Sequence, residues 1–168
     1  MQTVIDIRMM AASDLPAVLA IQAVCYTELT PESKESLHAK LRASPSTCFI
    51  ASIEGDTVGY LFALPWALSN PPMLNAETCR LPSSPNCLYL HDLAVTPSTR
   101  KSGAGRALVD AFLTRLSELE LGRASLIAVQ NSAPYWERYG FRVVPPSAPL
   151  KARLATYGEG VAYMERVS

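Results

Sequence analysis

No stretch of this sequence is apolar over the roughly 20 residues that a membrane-spanning helix requires. The amino-terminal residues Met1–Asp6 also lack a basic region followed by an apolar one, and a secretory signal has both. We therefore expect a cytoplasmic protein that has no membrane partner.

Metal ligands are scarce as well. The 168 residues include four cysteines without close-pair spacing and only two histidines, His38 and His91. Structural zinc sites bring Cys and His together at short spacings, so the sequence predicts no metal site. In a cytoplasmic setting the cysteines are expected to stay reduced.

The chain also lacks an excess of charge of either sign. Fifteen basic residues face fifteen acidic ones, which gives a formal net charge of zero. Nucleic-acid binding draws on positive charge, so we predict no nucleic-acid partner. With 49% hydrophobic and 18% charged residues, the composition predicts a globular fold, and we assign residues 1–168 to a single domain.

What the sequence does contain is a strand, a basic glycine loop and a helix in direct succession. Leu88–Val95 is an apolar run typical of a buried strand, and Arg100–Arg106 carries three basic residues and two glycines. Apolar residues at three- and four-residue spacing then predict a helix from Ala104 to Leu119. Glycines allow close backbone approach, and the first N–H groups of a helix are free to bind phosphate oxygens. This stretch predicts a site for a phosphate-bearing ligand.

The remaining patterns predict a mixed sheet. Alternating and apolar runs indicate about seven strands, and helical spacing indicates about four helices, one of them starting at Thr30-Pro31-Glu32. Residues 67–86 form a long proline-rich loop, which we interpret as a wall of the substrate site or as a surface insertion. Pro145, Pro146 and Pro149 are expected to end the strand that precedes them. The element order favours an α+β domain.

The loop alone does not specify the phosphate ligand. A dinucleotide-binding fingerprint needs a third glycine where this chain has Leu108, and the Gly-Lys-Ser/Thr of a P-loop is absent. A protein that uses the cradle for another nucleotide is one alternative that the loop leaves open.

Two motifs resemble those of the GCN5-related N-acetyltransferases (GNAT), which move an acetyl group from acetyl-CoA to an amine. The first is Arg-x-x-Gly-x-Gly after a strand that ends Leu-Ala-Val, and the second is the stretch 131–141, with its aromatic pair and its final Gly-Phe. Within that superfamily, Tyr-x-His-x-Leu-Ala-Val after a proline-rich loop is most similar to the serotonin (arylalkylamine) N-acetyltransferases. Those proteins have two histidines in this strand, and Tyr89 replaces the first of them here.

The resemblance implies a GNAT-type acyl-CoA N-acyltransferase fold and acetyl-CoA as co-substrate, and it allows a homodimer. We favour a small-molecule amine such as an arylalkylamine or a polyamine as acceptor, and the sequence leaves amino sugars and protein N-termini open. The resemblance also implies a set of cofactor-binding residues, in which the strand end binds pantetheine and the loop binds pyrophosphate: Leu93, Ala94, Val95, Arg100, Lys101, Ser102, Gly103, Ala104, Gly105, Arg106, Asn131 and Tyr135.

Acetyl transfer to an amine requires the amine to lose a proton, since an ammonium of pKa about 10 has no lone pair for attack. His91 is the predicted general base, because imidazole ordinarily titrates near neutral pH. Strand alternation would place Tyr89, His91 and Leu93 on one face and Asp92 on the other. Tyr89 is then predicted to share a proton path with His91, and Asp92 to attract the amine or to form a structural pair.

One residue departs from the family pattern. Trp136 stands where the family often has a tyrosine that protonates the leaving thiolate, and an indole N–H is not a usable acid. A thiol has a pKa of roughly 8.5, so the thiolate can leave without an acid. An acyl-CoA-binding sensor without turnover is the alternative. Four aromatic residues could line an acceptor pocket or belong to the core: Tyr60, Phe62, Trp66 and Trp136.

Overall fold

The structure is a computed structural model that describes residues 3–27 and 31–167. Seven strands lie in these residues: β1 (Asp6–Met9), β2 (Phe49–Ile53), β3 (Asp56–Trp66), β4 (Cys87–Val95), β5 (Arg123–Ala128), β6 (Arg142–Val143) and β7 (Ala162–Val167). The same residues contain five α-helices: α1 (Leu15–Cys25), α2 (Lys34–Ala43), α3 (Ala104–Glu118), α4 (Ala133–Glu137) and α5 (Ala148–Ala155).

The strands form one mixed sheet in the order β1-β2-β3-β4-β5-β7-β6. Neighbouring strands are antiparallel except β4 and β5, which are parallel and are connected through α3. The predicted α+β fold with seven strands in a mixed sheet is confirmed.

Each face of the sheet is covered by helices. On one face α3 packs against residues of β2, β3, β4 and β5 through Ala104, Leu108, Phe112 and Leu116, all of them buried. On the other face α1 and α2 cover β2 and β3 through buried Leu15, Val18, Leu37 and Leu41. The centre of the sheet is therefore shielded on both sides, and β4 lies at that centre.

A β-bulge interrupts β4 at His91. Against β3, Asp92 pairs with Phe62 and Leu90 pairs with Ala63, so His91 is an extra residue without a partner. Leu90 and Leu93 consequently pack on the α3 face, while Asp92 faces the side of α1. The predicted alternation was wrong at this point, because a bulge moves all later side chains to the opposite face.

Two helices differ from the prediction. Helix α2 begins at Lys34 with Ser33 as its N-cap, so Glu32 lies outside the helix, and Thr30 lies outside the described residues. Helix α5 was not predicted, since three prolines indicated a break. Pro149 instead lies in the first turn of α5, where proline's missing N–H costs no hydrogen bond.

The long loop 67–86 is attached to the rest of the molecule by hydrogen bonds. The carbonyl groups of Pro71 and Pro72 accept from Arg153 (2.8 Å) and Tyr157 (2.6 Å) at the end of α5. The N–H of Ser69 donates to the Tyr163 hydroxyl at 2.7 Å. Within the described ranges, no helix is both long enough and apolar enough to cross a membrane.

Candidate active site

A cleft opens between β4 and β5. The two strands pair only from Leu88 to Leu90, opposite Ala124–Leu126, and β4 then continues to Val95 while β5 stays with β7. The cleft has a volume of about 410 Å³. Eight of the residues predicted from the sequence line it: Tyr89, His91, Asp92, Leu93, Ala94, Val95, Arg100 and Tyr135.

The open edge of β4 presents backbone groups to this cleft. The Tyr26 hydroxyl oxygen lies 2.9 Å from the Leu93 carbonyl oxygen, and the Cys25 thiol donates to the Val95 carbonyl at 3.3 Å. The N–H and C=O groups of one strand residue point to the same edge. The N–H groups of Leu93 and Val95 therefore also face the cleft, and the register of the described strands leaves them unpaired. They are donors that could polarise a carbonyl group.

The predicted phosphate cradle lies at one end of the cleft, where α3 begins. Gly103 has φ +94°, a left-handed conformation that glycine adopts without strain. A Cβ on Gly105 would lie 3.3 Å from the Tyr135 hydroxyl, so glycine keeps this helix start accessible. Arg100, Lys101 and Arg106 are exposed around it.

Other members of the predicted binding set have local partners. Ala104 is fully buried in the core, and its N–H donates to the Ser102 hydroxyl at 3.2 Å. Asn131 is exposed and turned away from the cleft toward Gly160, whose carbonyl accepts its N–H at 3.1 Å. Its neighbours Gln130 and Ser132 line the cleft instead.

His91 contacts a carboxylate that sequence reasoning missed. Its Nε2 lies within hydrogen-bonding distance of Glu32 Oε1, and its side chain is only 1% exposed. The other oxygen of Glu32 accepts from Lys40 Nζ at 3.0 Å and from Ser36 Oγ at 2.8 Å. His91 Nδ1 is buried and has no partner among the described residues.

The carboxylate of Glu32 is held in place and held ionised. The backbone N–H of Glu32 donates to the side-chain oxygen of Gln22, and the backbone carbonyl of Glu32 accepts from the side-chain nitrogen of Gln22, each at 3.0 Å. Burial disfavours the charge, but His91, Lys40 and Ser36 outweigh burial and hold the pKa of Glu32 well below its usual range. No spacing rule indicated this residue, which in the sequence is only an acid that follows Pro31.

Asp92 lies beside His91 on the same side of the sheet, because of the bulge. Its two oxygens accept from the hydroxyl groups of Tyr26 and Tyr60, both at 2.7 Å. Burial raises the pKa of Asp92, although His91 and the two tyrosines oppose the effect. The alternation predicted from the sequence would have separated Asp92 from His91.

Tyr89 and Tyr157 also line the cleft, together with His91. The Tyr89 ring centroid lies 5.9 Å from that of His91, and Tyr157 after α5 lines the same part of the cleft. Burial raises the pKa of Tyr89 well above its ordinary value, and the adjacent Tyr157 adds to the shift. Tyr89 therefore keeps its proton near pH 7 and does not act as a base.

Trp136 and Tyr135 diverge from α4. Trp136 is 7% exposed and packs in the core, edge-on to Phe141. Tyr135 lies edge-on to Trp136 at 5.0 Å and directs its hydroxyl toward Gly105. Of the aromatic residues weighed for an acceptor pocket, Tyr60 and Phe62 are core residues. Tyr26 and Tyr157, which were not considered, line the cleft.

No group of three or more His, Cys, Asp or Glu side chains in the described part of the chain is arranged to hold a metal ion. The site therefore consists of an open strand edge, a helix start and a buried cluster of His91, Glu32 and Lys40.

Comparison with known families agrees with this architecture. The sequence profile of the Acetyltransferase (GNAT) family matches residues 15–141. This range includes the cleft, the helix start and the second motif. The chain belongs to this family. A search of curated protein sequences finds no match.

Solved structures share the fold over nearly the whole chain. Ard1 from Thermoplasma volcanium superposes with a TM-score of 0.73 at 18% identity, covering 97% of each chain. The loading GNATL domain of CurA from Lyngbya majuscula gives 0.75 at 12% identity, covering 98% of each chain. The PaiA N-acetyltransferase from Thermoplasma acidophilum, solved in complex with coenzyme A, gives 0.70 at 16% identity and covers 98% of this chain and 99% of its own.

Proposed function

We propose that residues 1–168 act as one catalytic domain that transfers the acetyl group of acetyl-CoA to a small primary amine, with His91 as general base. The observation that carries this proposal is the convergence on one cleft of His91, the unpaired N–H groups of Leu93 and Val95, and the start of α3. Membership of the GNAT family supports the acyl-CoA co-substrate.

The residues of the cleft fit coenzyme A. The N–H groups of Gly105 and Arg106 at the start of α3, together with the exposed side chains of Arg100, Lys101 and Arg106, would hold the pyrophosphate. The open edge from Leu93 to Val95 would hold the pantetheine arm through backbone hydrogen bonds, with Tyr135 beside the helix start. PaiA, which shares the fold, was solved with coenzyme A.

Residues of the cleft would then have separate roles in the reaction. Acetyl-CoA supplies an activated acetyl group as a thioester, which the amine lone pair attacks as the C–N bond forms and the C–S bond breaks. His91 would take a proton from the amine, and the N–H of Leu93 or Val95 would stabilise the charge that develops on the acetyl oxygen. The nitrogen loses a second proton to solvent as the amide forms. The leaving thiolate would take up a proton from solvent in exchange, because Trp136 cannot provide one.

The acceptor side of the cleft favours a small amine with an apolar or aromatic body. Tyr26, Tyr89, Tyr157 and Leu74 line it together with the carboxylates of Glu32 and Asp92. Aromatic rings bury apolar surface, and both carboxylates already have partners, Glu32 in Lys40 and His91 and Asp92 in two tyrosine hydroxyl groups. Arylalkylamines therefore fit this composition better than polyamines, whose several charges would need more acidic partners.

The test is thiol release from acetyl-CoA with a panel of arylalkylamines, polyamines, aminoglycosides and peptides. We expect amine-dependent release that His91→Gln lowers by about 100-fold, with the Kd for acetyl-CoA unchanged by calorimetry. Wild-type protein that is folded but does not bind acetyl-CoA would contradict the proposal.

A second function is an acyl-CoA sensor without turnover, which is favoured because Trp136 replaces the tyrosine that the family often has at this position. In that case acetyl-CoA binds and no amine of the panel releases thiol. Introduction of the family's tyrosine by Trp136→Tyr would then be the next variant to assay.

A further inference from the structure

We propose that Glu32 is a positioning residue that fixes the tautomer of His91, and that Lys40 balances the charge of Glu32 so that the ring can exchange a proton. The proposal rests on the proposed function, in which His91 is the base. It assigns roles to two residues that no sequence motif marks.

The tautomer follows from the hydrogen bond between Glu32 and His91. An ionised carboxylate can only accept, so the contact between Glu32 Oε1 and His91 Nε2 requires a proton on Nε2. In the neutral ring the lone pair is then on Nδ1. That atom is buried without a partner in the described residues, and an unpaired buried acceptor is destabilising unless a substrate or water meets it.

The positive charge of Lys40 weakens the electrostatic effect of the Glu32 carboxylate on the His91 ring. An unbalanced buried carboxylate would hold His91 as an imidazolium, which has no lone pair to offer. The ammonium of Lys40 lies 3.0 Å from the second oxygen of Glu32, and the side chains are 2% and 6% exposed. Since Ser36 Oγ contacts both groups, the pair is fully hydrogen-bonded at that end.

The other polar groups around His91 include one further carboxylic acid, that of Asp92. Asp92 and Tyr89 come from β4, Tyr26 follows α1, and Tyr157 follows α5. Burial raises the pKa of both Asp92 and Tyr89, which disfavours their charged forms. Glu32 and Lys40 are therefore the two charged side chains around His91 to change by mutation.

The proton step balances in this arrangement. The bond between the substrate nitrogen and one of its protons breaks, and the electron pair stays on nitrogen. The proton forms a bond with His91 Nδ1, and the resulting imidazolium is paired with Glu32 through Nε2. After transfer the ring returns the proton to solvent.

The first experiment needs no substrate. The chain has two histidines, so ring nitrogen NMR of a His38→Gln protein observes His91 alone. We expect the neutral ring to carry its proton on Nε2. Glu32→Gln should move the titration midpoint to lower pH, and Lys40→Met should move it to higher pH. A neutral ring protonated on Nδ1, or equal midpoints in all three proteins, would overturn the proposal.

Glu32→Gln leaves the buried Lys40 without its counter-charge, which strongly destabilises the fold. The double variant Glu32→Gln/Lys40→Met removes both charges and keeps an acceptor for Nε2–H. We expect it to fold with the wild-type tautomer and a midpoint between those of the single variants. A folded double variant with the opposite tautomer would also overturn the proposal.

Kinetics provide the second readout. In Glu32→Gln we expect kcat to fall by about 10- to 100-fold, the acid limb of the pH–rate profile to move to lower pH, and the KM for acetyl-CoA to stay unchanged. Glu35→Gln, an exposed carboxylate on α2, is the matched control and should behave as wild type. An unchanged kcat and profile in Glu32→Gln would contradict the role. If wild-type protein turns over no amine, the proposed function fails, and the NMR result still decides the tautomer.

Discussion

At the scale of single residues, Cys25 can report ligand binding without an assay of turnover. Its thiol lies in the cleft, 3.3 Å from the Val95 carbonyl and 3.7 Å from an Arg100 nitrogen. Both of these neighbours belong to the predicted coenzyme site. A bound coenzyme would therefore cover Cys25.

We predict that acetyl-CoA at ten times its Kd slows alkylation of Cys25 by roughly tenfold, in proportion to the free fraction. Cys79 is the control within the same chain, because it is half-buried in a separate cavity beside Lys40 and Arg80. Peptide mass spectrometry measures both rates. Equal slowing of the two cysteines would indicate a general effect and contradict a ligand in the cleft.

The two remaining cysteines set the baseline of that experiment. Cys48 and Cys87 are buried, and burial raises the pKa of Cys48 to about 12. Thiolates are the reactive form, so both residues should react only after unfolding. Protein thiols that react slowly also limit the background in a thiol-release assay.

At the scale of elements, the position of β4 depends on its close approach to β3. A Cβ on Gly59 would lie 2.9 Å from the Ala94 carbonyl and 3.1 Å from the Val95 side chain. The obstacle is backbone of the strand that forms the cleft, which cannot move aside as a flexible side chain can.

We predict that Gly59→Ala lowers the free energy of unfolding by about 1–3 kcal/mol, the usual effect of overpacking. Gly55→Asn is the control, because Gly55 has φ +84° with no atom within 4 Å of an added Cβ and Asn tolerates that conformation. Urea denaturation compares the two. A smaller loss for Gly59→Ala than for Gly55→Asn would contradict the close approach.

Helix α5 acts on the cleft through the loop 67–86. The Tyr157 hydroxyl donates to the Pro72 carbonyl, and Tyr157 also lines the cleft. The Tyr163 hydroxyl accepts from the Ser69 N–H and does not belong to the cleft lining. The same loop thus has one attachment at the site and one away from it.

We predict that Tyr157→Phe and Tyr163→Phe each lower the free energy of unfolding by about 1 kcal/mol, the value of one hydrogen bond. Only Tyr157→Phe should raise the KM for the amine, because only that bond positions the acceptor wall. Neither variant should change the Kd for acetyl-CoA. Equal effects of both variants on the amine KM would show that the loop moves as a whole.

At the scale of the whole molecule, acid stability depends on a few carboxylates of opposite behaviour. Hydrogen bonds from Arg8, at 2.7 and 2.8 Å, and from the Ala11 N–H lower the pKa of Asp14 despite partial burial. The pKa of Glu32 is likewise lowered. Asp92 acts in the opposite sense, because burial raises its pKa and protonation relieves the cost of the buried charge.

For a lowered carboxyl pKa, the stabilisation is present above the unfolded value of about 4 and is lost as pH falls through the folded value. We predict that Asp14→Asn lowers the free energy of unfolding by about 1 kcal/mol at pH 7. The difference from wild type should shrink steadily below pH 4. Urea denaturation at pH 7, 5, 4 and 3 measures it, and a constant difference would exclude Asp14 as the titrating group.

Most element types and the family could be predicted from the sequence, because these depend on local spacing. The apolar run of β4, the two glycines ahead of α3 and the period of α3 are each contained in a short segment. The same holds for the second motif at 131–141, and the family profile includes both. These signals sufficed for the α+β fold and for the position of β4.

The groups that meet in the site could not be predicted in this way, because they come from segments that are distant along the chain. The bulge at His91 arises from the pairing of β4 with β3. It places Asp92 on the same face of the sheet as His91, whereas the predicted alternation placed it on the opposite face. Glu32 is 59 residues away from His91 along the chain. Tyr157 follows helix α5, which was not predicted because prolines at its start indicated a break. Contacts between distant segments leave no periodic pattern in the sequence, because they arise when separate elements pack together rather than within any one of them.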